Sequence, residues 1–466
     1  MRVSKPLRFC VAMALVLLAP GACKDAAGGA ADGAGDPSDT VVRADAPVDD
    51  EVASQLPFQV DLLVIVDDSP SMCHEQGTLA RLYAPLIEAL GTVDLRVAVT
   101  TTNVCPVGRP GAVRGKFQYK PMTADSINPS CYTRRIRACL TDADCQGDPS
   151  LPDKAHWVCE GNPAASLYVC DAAPAPAQPV LDAVRSTCRY KCVADSDTCP
   201  TVFGDAGARC VAPGGDAAQA GCLPRLPTSD CPAQASTVLD ATSAGANAAT
   251  LFACMTSVGV QQGICGSQEQ GLAAAWMALD PAGENADQAR SFLRPDAVLV
   301  VFVVSNEDDC STTGTLAAES YGTCACLADT AGCLPDGTCG LEAGPLTSVG
   351  AFADHLRSLK ADPTRVVFAA VSGDAIPGSA TTPGTDAQAA RARFQSCRCQ
   401  NPSTIDSSFA YVCASDMGWA DLGSRYHAMA AAFGDRGVAS NLCDPDGIRK
   451  GLVSAAQAAR KAAGLP

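Results

Sequence analysis

Three oxygen-bearing side chains at alternate positions follow a short apolar run near residue 60. The run extends from Leu62 to Val66, and Asp67, Ser69 and Ser71 come directly after it. Residues two apart in an extended chain face the same way, so one carboxylate and two hydroxyls converge. Hard oxygen ligands suit a small divalent cation, Mg²⁺ first, with Ca²⁺ or Mn²⁺ as other candidates. A simpler role is also open, because Asp67 and Ser69 are good caps for a following helix.

A second group of oxygen donors occurs about 240 residues later. Asn306, Glu307 and Asp308 follow the most apolar stretch of the mature protein, residues 294–305, which predicts a central buried strand. Ligands of open α/β sheets bind outside the carboxyl ends of the strands. We therefore expect these three residues to lie beside the donors that follow the first strand.

The Asp-x-Ser-x-Ser pattern after a buried strand resembles the metal-ion-dependent adhesion site (MIDAS) of von Willebrand factor A (VWA) domains. The resemblance implies a site of three loops, of which Asp67, Ser69 and Ser71 would form the first. It implies a Thr in the second loop and an Asp in the third. It also implies that a carboxylate from a protein ligand completes the coordination of the metal.

The second and third loops depart from the VWA pattern. Ser267, just before a predicted helix, is the best candidate by position for the hydroxyl of the second loop. Asn306 stands where the third loop would carry its Asp, and Glu307 and Asp308 come one and two positions later. A neutral amide attracts a dication less than a carboxylate does, so the site is weakened unless Glu307 or Asp308 turns into it.

Two short segments are similar to secreted bacterial lipoproteins that contain a VWA domain. They are Phe292–Ala297, with the sequence Phe-Leu-Arg-Pro-Asp-Ala, and Glu307–Ser311, with the sequence Glu-Asp-Asp-Cys-Ser. The resemblance as a whole covers residues 57–103 and 250 to about 464.

Strand and helix patterns alternate along the regions that must position these loops. The later patterns are a helix at 75–90, strands at 95–102 and 365–372, and closing helices at 426–433 and 448–463. This order predicts an α/β fold, a doubly wound and mostly parallel sheet flanked by helices, VWA- or Rossmann-like. The predicted organisation is a signal peptide (1–22), a lipidated cysteine with an acidic tether (23–56), the first part of the domain (57–104), a cysteine-rich insertion (105–249) and the second part of the domain (250–466).

The first residues of the chain have the pattern of an export signal. Arg2, Lys5 and Arg8 precede the apolar run Phe9–Leu18, which is too short for a permanent membrane span. Small residues before Cys23 resemble a lipobox, which implies an acylated cysteine and anchoring at the outer membrane or cell surface. The alternative is a plain secreted protein with an ordinary thiol at this position.

The cysteine count supports export. Of 26 cysteines, Cys10 leaves with the signal and Cys23 would carry lipid, so an even 24 remain for disulfides. The insertion shows two related units, Cys131–Cys170 and Cys188–Cys222, each with an acidic knot. Zinc is the competing interpretation, but there is no C-x2-C pair.

Further cysteines lie at the neck of the insertion and at the rims of the predicted metal loops. Cys105 and Cys231 could close the neck. Cys73, Cys265 and Cys310 each lie two residues from a predicted metal ligand. We hypothesise that at least one disulfide links two of these loops. The alternative is local pairing, for instance of Cys310 with Cys324 or Cys326.

Charge and motifs exclude several classes of function. The formal net charge is −16, and −19 without the three signal-peptide cations, which argues against nucleic acid and against an anionic membrane surface. Membrane contact is therefore expected through the lipid anchor only. The chain has four histidines and no H-E-x-x-H, G-x-S-x-G or Walker pattern, so we expect no enzyme.

Two functional hypotheses follow. The first is a cell-envelope lipoprotein whose VWA-like domain is a metal-dependent protein-binding or adhesion module. The alternative is a metal-free structural component of an envelope complex, which binds through its cysteine-rich insertion.

Overall fold

The structure is a computed structural model, and its described residues all lie within the compact unit Gln55–Pro466. The described residues are 57–69, 72–104, 113–119, 121, 135–138, 141–147, 149, 153–160, 166–169, 180–184, 187–193, 198–203, 206–212, 220–223, 231–232, 236–259, 269–311, 346–374, 413–415, 418–420 and 422–466. The predicted signal peptide, Cys23 and the tether lie outside them.

The described residues form strands and helices that alternate over most of the chain. The strands are β1 (Phe58–Val66), β2 (Val93–Thr101), β3 (Arg135–Ala138), β4 (Trp157–Glu160), β5 (Ser166–Val169), β6 (Val180–Val184), β7 (Thr187–Tyr190), β8 (Arg209–Val211), β9 (Gly221–Leu223), β10 (Val238–Asp240), β11 (Val298–Val304), β12 (Val366–Ser372), β13 (Cys413–Ser415), β14 (Gly418–Ala420) and β15 (Gly437–Asn441). The α-helices are α1 (Cys73–Leu79), α2 (Tyr83–Leu90), α3 (Asp142–Gln146), α4 (Cys199–Phe203), α5 (Ala241–Ala244), α6 (Ala248–Thr256), α7 (Gly271–Leu279), α8 (Ala286–Phe292), α9 (Val349–Ser358), α10 (Ser424–Ala432) and α11 (Gly447–Ala462).

Six strands form the central sheet in the order β10-β2-β1-β11-β12-β15. All neighbours run parallel except β10, which pairs antiparallel with β2 at one edge. The prediction of a mostly parallel sheet is therefore confirmed. The chain builds outward from β1 to β2 and then crosses to β11 on the other side. The strand order thus reverses between β1 and β11, which is where ligands bind in open α/β sheets.

Alternate residues of each central strand feed two separate hydrophobic cores. Leu62 and Val64 of β1 belong to one core, and Leu63 and Ile65 belong to the other. Helices α2, α6 and α11 contribute to the first core, and α7, α9 and α10 contribute to the second. Because helices cover both faces, the central strands can be apolar throughout, as β11 is.

The prediction of a single helix at 75–90 is wrong, because this segment forms two helices. Helix α1 ends at Leu79 and α2 begins at Tyr83. Proline lacks the N–H that a continuous helix would need, and Pro85 lies in the first turn of α2, where no such bond is required.

Within the insertion, two similar units are visible, but they begin and end at other cysteines than the sequence predicts. Each consists of a short helix followed by strands that bring two cysteines opposite each other, Cys159 with Cys188 and Cys210 with Cys222. A disulfide joins each helix to the last strand of its unit, Cys145–Cys188 in the first and Cys199–Cys222 in the second. Cys188 therefore closes the first unit instead of opening the second.

The acidic knot of the first unit has a structural role. Asp144 accepts hydrogen bonds from the backbone and hydroxyl of Thr141 and so caps α3. Asp142 accepts a hydrogen bond of 2.7 Å from the backbone N–H of Cys159. Both carboxylates of the knot therefore accept hydrogen bonds from other groups of the protein.

The disulfide at the end of the insertion is not the predicted Cys105–Cys231 bridge. Cys231 is bonded to Cys254 of α6, so that pairing was wrong. Residues 236–249, which the sequence places in the insertion, contribute β10 and α5 to the sheet domain. The disulfide fastens the end of the insertion directly to a helix of the first core.

A buried ion network closes the amino-terminal edge of the sheet. Asp61 of β1 accepts a hydrogen bond of 2.8 Å from Nε of Arg294, and Lys360 Nζ lies 3.4 Å from the same carboxylate. The Arg294 guanidinium also contacts Asp94 at 2.7 Å. The Phe292–Ala297 segment therefore contains a structural arginine that joins β1, β2 and the start of β11.

No helix in the described part of the chain is long and apolar enough to cross a membrane.

Candidate metal centre

The carboxyl ends of β1 and β11 meet at the reversal of strand order. The backbone N–H of Asp67 donates to the carbonyl of Val304 at 3.0 Å, which continues the pairing of the two strands into their loops. Asp67 is fully buried, and its carboxylate accepts hydrogen bonds from the Ser69 N–H at 2.7 Å and the Ser305 hydroxyl at 2.8 Å. The first and third predicted loops are therefore in direct contact.

Two more predicted ligands lie at this junction. The hydroxyl of Ser69 is 3.5 Å from Oδ1 of Asn306, and both residues are buried. The structure thus brings Asp67, Ser69 and Asn306 together. Ser71, Ser267 and Cys265 lie outside the described residues, so their predicted places in the site stay predictions.

A glutamine that the sequence analysis did not select fixes the backbone of the first loop. The amide nitrogen of Gln76 donates to the carbonyls of Asp67 and Gly259, at 3.1 and 2.9 Å. Its amide oxygen accepts a hydrogen bond from the Gly259 N–H at 3.0 Å. Gln76 therefore ties α1 and the segment after α6 to the back of the candidate site.

Burial makes negative charge costly around the first loop. Loss of solvent raises the pKa of Asp67, against the lowering effect of its hydrogen bonds with Ser69 and Ser305. Burial, together with the charge of Asp67, raises the pKa of Asp68 to about 7. Burial also raises the pKa of Glu75 to about 8. Cationic side chains form no ion pair with Asp67 within the described ranges, so a bound cation would offset its charge.

The carboxylate of the predicted ligand Asp308 is held by backbone N–H groups. Its Oδ1 accepts hydrogen bonds from the backbone N–H groups of Arg425 and Asp309, both at 2.9 Å. This places the carboxylate against the start of α10. Burial raises the pKa of Asp308 to about 7, against the lowering effect of these bonds.

The neighbouring Asp309 braces the third loop through a buried ion pair. Its carboxylate lies 3.0 Å from Nε of Arg425 and accepts hydrogen bonds from the Leu272 N–H and the Ser311 hydroxyl. Asp309 therefore links the third loop to the starts of α7 and α10. Within the Glu307–Ser311 segment, Glu307 therefore lies at the candidate site, whereas Asp309 forms this ion pair.

Glu269, which precedes α7 on the second loop, is not among the ligands predicted from the sequence. Glu269 is 2% exposed, and its carboxyl interacts with that of Glu307. Burial and the charges of Glu307 and Asp67 raise its pKa well above the usual range. Its position before a predicted helix was a visible signal, but serine was preferred there because the family pattern has a hydroxyl.

One predicted rim cysteine has a known bonding state. Cys310 is disulfide-bonded, and its backbone N–H donates to the carbonyl of Glu269 at 2.7 Å, so the second and third loops are in contact. The side chain of Cys73 and all of Cys265 lie outside the described part. A disulfide between two metal loops stays a hypothesis.

The donor set at this edge is mixed. Among the described residues, no three carboxylates here bring their oxygens within 4.8 Å of one another, so a cation would also need hydroxyl or amide oxygens. Sulfur atoms of Cys192, Cys199 and Cys210 do lie that close together. These atoms belong to the disulfides Cys192–Cys210 and Cys199–Cys222 and are not available as thiolate ligands.

Comparison of the chain with protein-family models, with curated proteins and with solved structures finds no match.

Proposed function

We propose that this chain is a cell-envelope lipoprotein whose VWA-like domain binds a divalent cation and, through it, a protein ligand that offers a carboxylate. Mg²⁺ is the proposed cation, with Ca²⁺ or Mn²⁺ as substitutes. The proposal includes export, a lipid anchor on Cys23 as the only membrane contact, and a binding role without catalysis.

One observation carries the proposal. Asp67, Ser69 and Asn306 come from loops more than 230 residues apart and meet at the point where the strand order reverses. A buried carboxylate with no cationic partner costs several kcal/mol or shifts its pKa. A hard dication would offset that cost and would use the hydroxyl and amide oxygens as further ligands.

The proposed ligands have separate tasks. Asp67 would supply the charge, and Ser69 would supply a neutral oxygen, with Ser71 and Ser267 contributing hydroxyls as the VWA resemblance implies. Ser305 would hold the Asp67 carboxylate in place, since its hydroxyl donates to Oδ2 at 2.8 Å. The bound metal would keep a coordination position open for the carboxylate of the partner.

A metal-free structural role is the second candidate, and one observation favours it. Position 306 carries an amide, which lies beside the Ser69 hydroxyl without bringing charge. In this alternative the loops merely close the sheet edge, and the cysteine-rich insertion makes the contacts with the envelope complex.

Calorimetric titration of the purified full-length chain with Mg²⁺, Mn²⁺ and Ca²⁺ separates the two candidates. We expect saturable binding at one site. Asp67→Ala should weaken it more than about 100-fold, because losing even a partner of a metal ligand typically costs about 10–100-fold. Asp287→Ala, which removes a fully exposed carboxylate on α8, is the control and should bind like the unmodified chain. Absence of binding by the unmodified chain would remove the metal-dependent function and leave the structural one.

A further inference from the structure

Glu269 is held between two of the strand ends that form the candidate site. The next residue, Gln270, donates its N–H to the carbonyl of Thr102, after β2, at 3.1 Å. The carbonyl of Glu269 itself accepts the N–H of Cys310, in the third loop, at 2.7 Å. These bonds fix the Glu269 backbone between the loops that follow β2 and β11.

The carboxyl group of Glu269 points into the protein and not into solvent. The residue is 2% exposed, and one of its carboxyl oxygens, Oε2, has no hydrogen-bond partner among the described residues. Its carboxyl group interacts with the carboxyl group of Glu307 and feels the charge of Asp67. Two carboxylates in contact inside a protein repel each other strongly unless a proton or a cation lies between them.

A tyrosine hydroxyl lies close to the same place. Tyr426 is fully buried, and within the described part of the chain its hydroxyl has no hydrogen-bond partner. A Cβ atom on Gly271, the first residue of α7, would come within 2.4 Å of that hydroxyl. The close approach requires glycine there and directs the phenol toward the loop that carries Glu269. An ordered water bound to a cation would satisfy such a donor.

We propose that Glu269, with Glu307 beside it, supplies to the cation site the negative charge that Asn306 does not provide, with at most two of the three carboxylates of Asp67, Glu269 and Glu307 in direct contact with the cation. The inference rests on the proposed metal-binding function and assigns its second loop to a carboxylate. Asp67 alone would offer one negative charge to a dication. With Glu269 and Glu307 the site gains charge, and charge count is a main determinant of affinity for hard cations.

Mn²⁺ binding followed by electron paramagnetic resonance of the free ion tests this assignment. The full-length chain is compared with Glu269→Gln, which keeps the shape and removes the charge, and with Glu269→Asp, which keeps the charge on a shorter side chain. We expect Glu269→Gln to raise the Kd at least about 10-fold, and Glu269→Asp to raise it less. Glu88→Gln, on the exposed side of α2, is the matched control and should leave the Kd unchanged.

The unfolding temperature (Tm), measured with and without Mn²⁺, distinguishes a metal ligand from a residue with a purely structural role. Without metal, Glu269→Gln should unfold at the same temperature as the parent or higher, because it removes a buried carboxyl group that is crowded by the carboxyl group of Glu307. Mn²⁺ should raise the Tm of the parent more than that of Glu269→Gln, in line with the affinities. A lower metal-free Tm with an unchanged Kd would overturn the proposal in favour of a structural carboxyl pair that shares a proton.

Different results would contradict the assignment of Glu269 and the proposed metal-binding function. If the parent binds Mn²⁺, Asp67→Asn does not, and Glu269→Gln binds within about twofold of the parent, the assignment of Glu269 is wrong and the proposed function stands. If the parent itself binds no Mn²⁺, the proposed function fails and this inference fails with it. Should Glu269→Gln not fold, the Kd of Glu269→Asp decides, and a value equal to that of the parent would overturn the assignment.

Discussion

Replacing Arg294 with methionine is expected to lower the free energy of unfolding by about 3–5 kcal/mol, the usual result of leaving a buried charge without its partner. Asp61 is fully buried in β1, and Arg294 binds it through both its backbone N–H and its Nε, each at 2.8 Å. Lys360 is also near this carboxylate, but burial lowers its pKa, which shows that its own charge is costly there. Urea unfolding followed by circular dichroism measures the loss.

An exposed ion pair provides the control for this change. Arg449 and Asp446, on and before α11, approach to 3.7 Å, and both side chains are about half exposed. Arg449→Met should therefore cost less than about 1 kcal/mol. Equal losses from the two substitutions would contradict the view that the buried network at the amino-terminal edge holds β1, β2 and β11 together.

Arg425→Met, at the carboxyl ends of the central strands, is also expected to lower the free energy of unfolding by about 3–5 kcal/mol. Arg425 is 2% exposed, and its guanidinium pairs with Asp309 and donates to the carbonyl of Thr347 at 2.7 Å. Without it, Asp309 would be a buried carboxylate held only by the Leu272 and Ser311 hydrogen bonds. The same unfolding experiment measures the effect.

A double substitution distinguishes charge from packing in this second case. Arg425→Met combined with Asp309→Asn removes both charges, so part of the lost stability should return relative to Arg425→Met alone. Strictly additive losses would show that Arg425 acts through its packing and not through the pair. The cation affinity of the double variant would then show how far this brace sets the position of the third loop.

The central strands could be predicted from the sequence because burial on both faces leaves a strong signal. Val298–Val304 is apolar at every position, which a sheet covered by helices on both sides requires. The place of the site followed from the same strands, since Asp67 and Asn306 come directly after two of them. Their contact, however, depends on which strands are neighbours, and that order is a property of the whole sheet.

The division of labour among the acids could not be predicted. Glu307, Asp308 and Asp309 are consecutive, yet one faces Glu269, one faces the start of α10 and one pairs with Arg425. Their directions depend on partners more than 35 residues away, which no local pattern encodes. Glu269 is not predicted as a ligand because the VWA pattern has a hydroxyl in the second loop, and because a lone acid before a helix is typical of many helices.

The disulfide pairing shows a different limit. Spacing indicated that the insertion contains a repeated unit, but the phase of a repeat depends on which cysteines face each other across a hairpin. Cys188 lies opposite Cys159 on β7 and is bonded to Cys145, so it belongs to the first unit. Connectivity of this kind does not follow from spacing alone.

The anomalous difference density of crystals grown with Mn²⁺ tests the central claim most directly. The account predicts a peak about 2–2.5 Å from an Asp67 carboxylate oxygen, between the ends of β1 and β11, and no such peak in crystals of Asp67→Ala. A structure at saturating Mn²⁺ without density at Asp67, or with density only elsewhere on the chain, would contradict it.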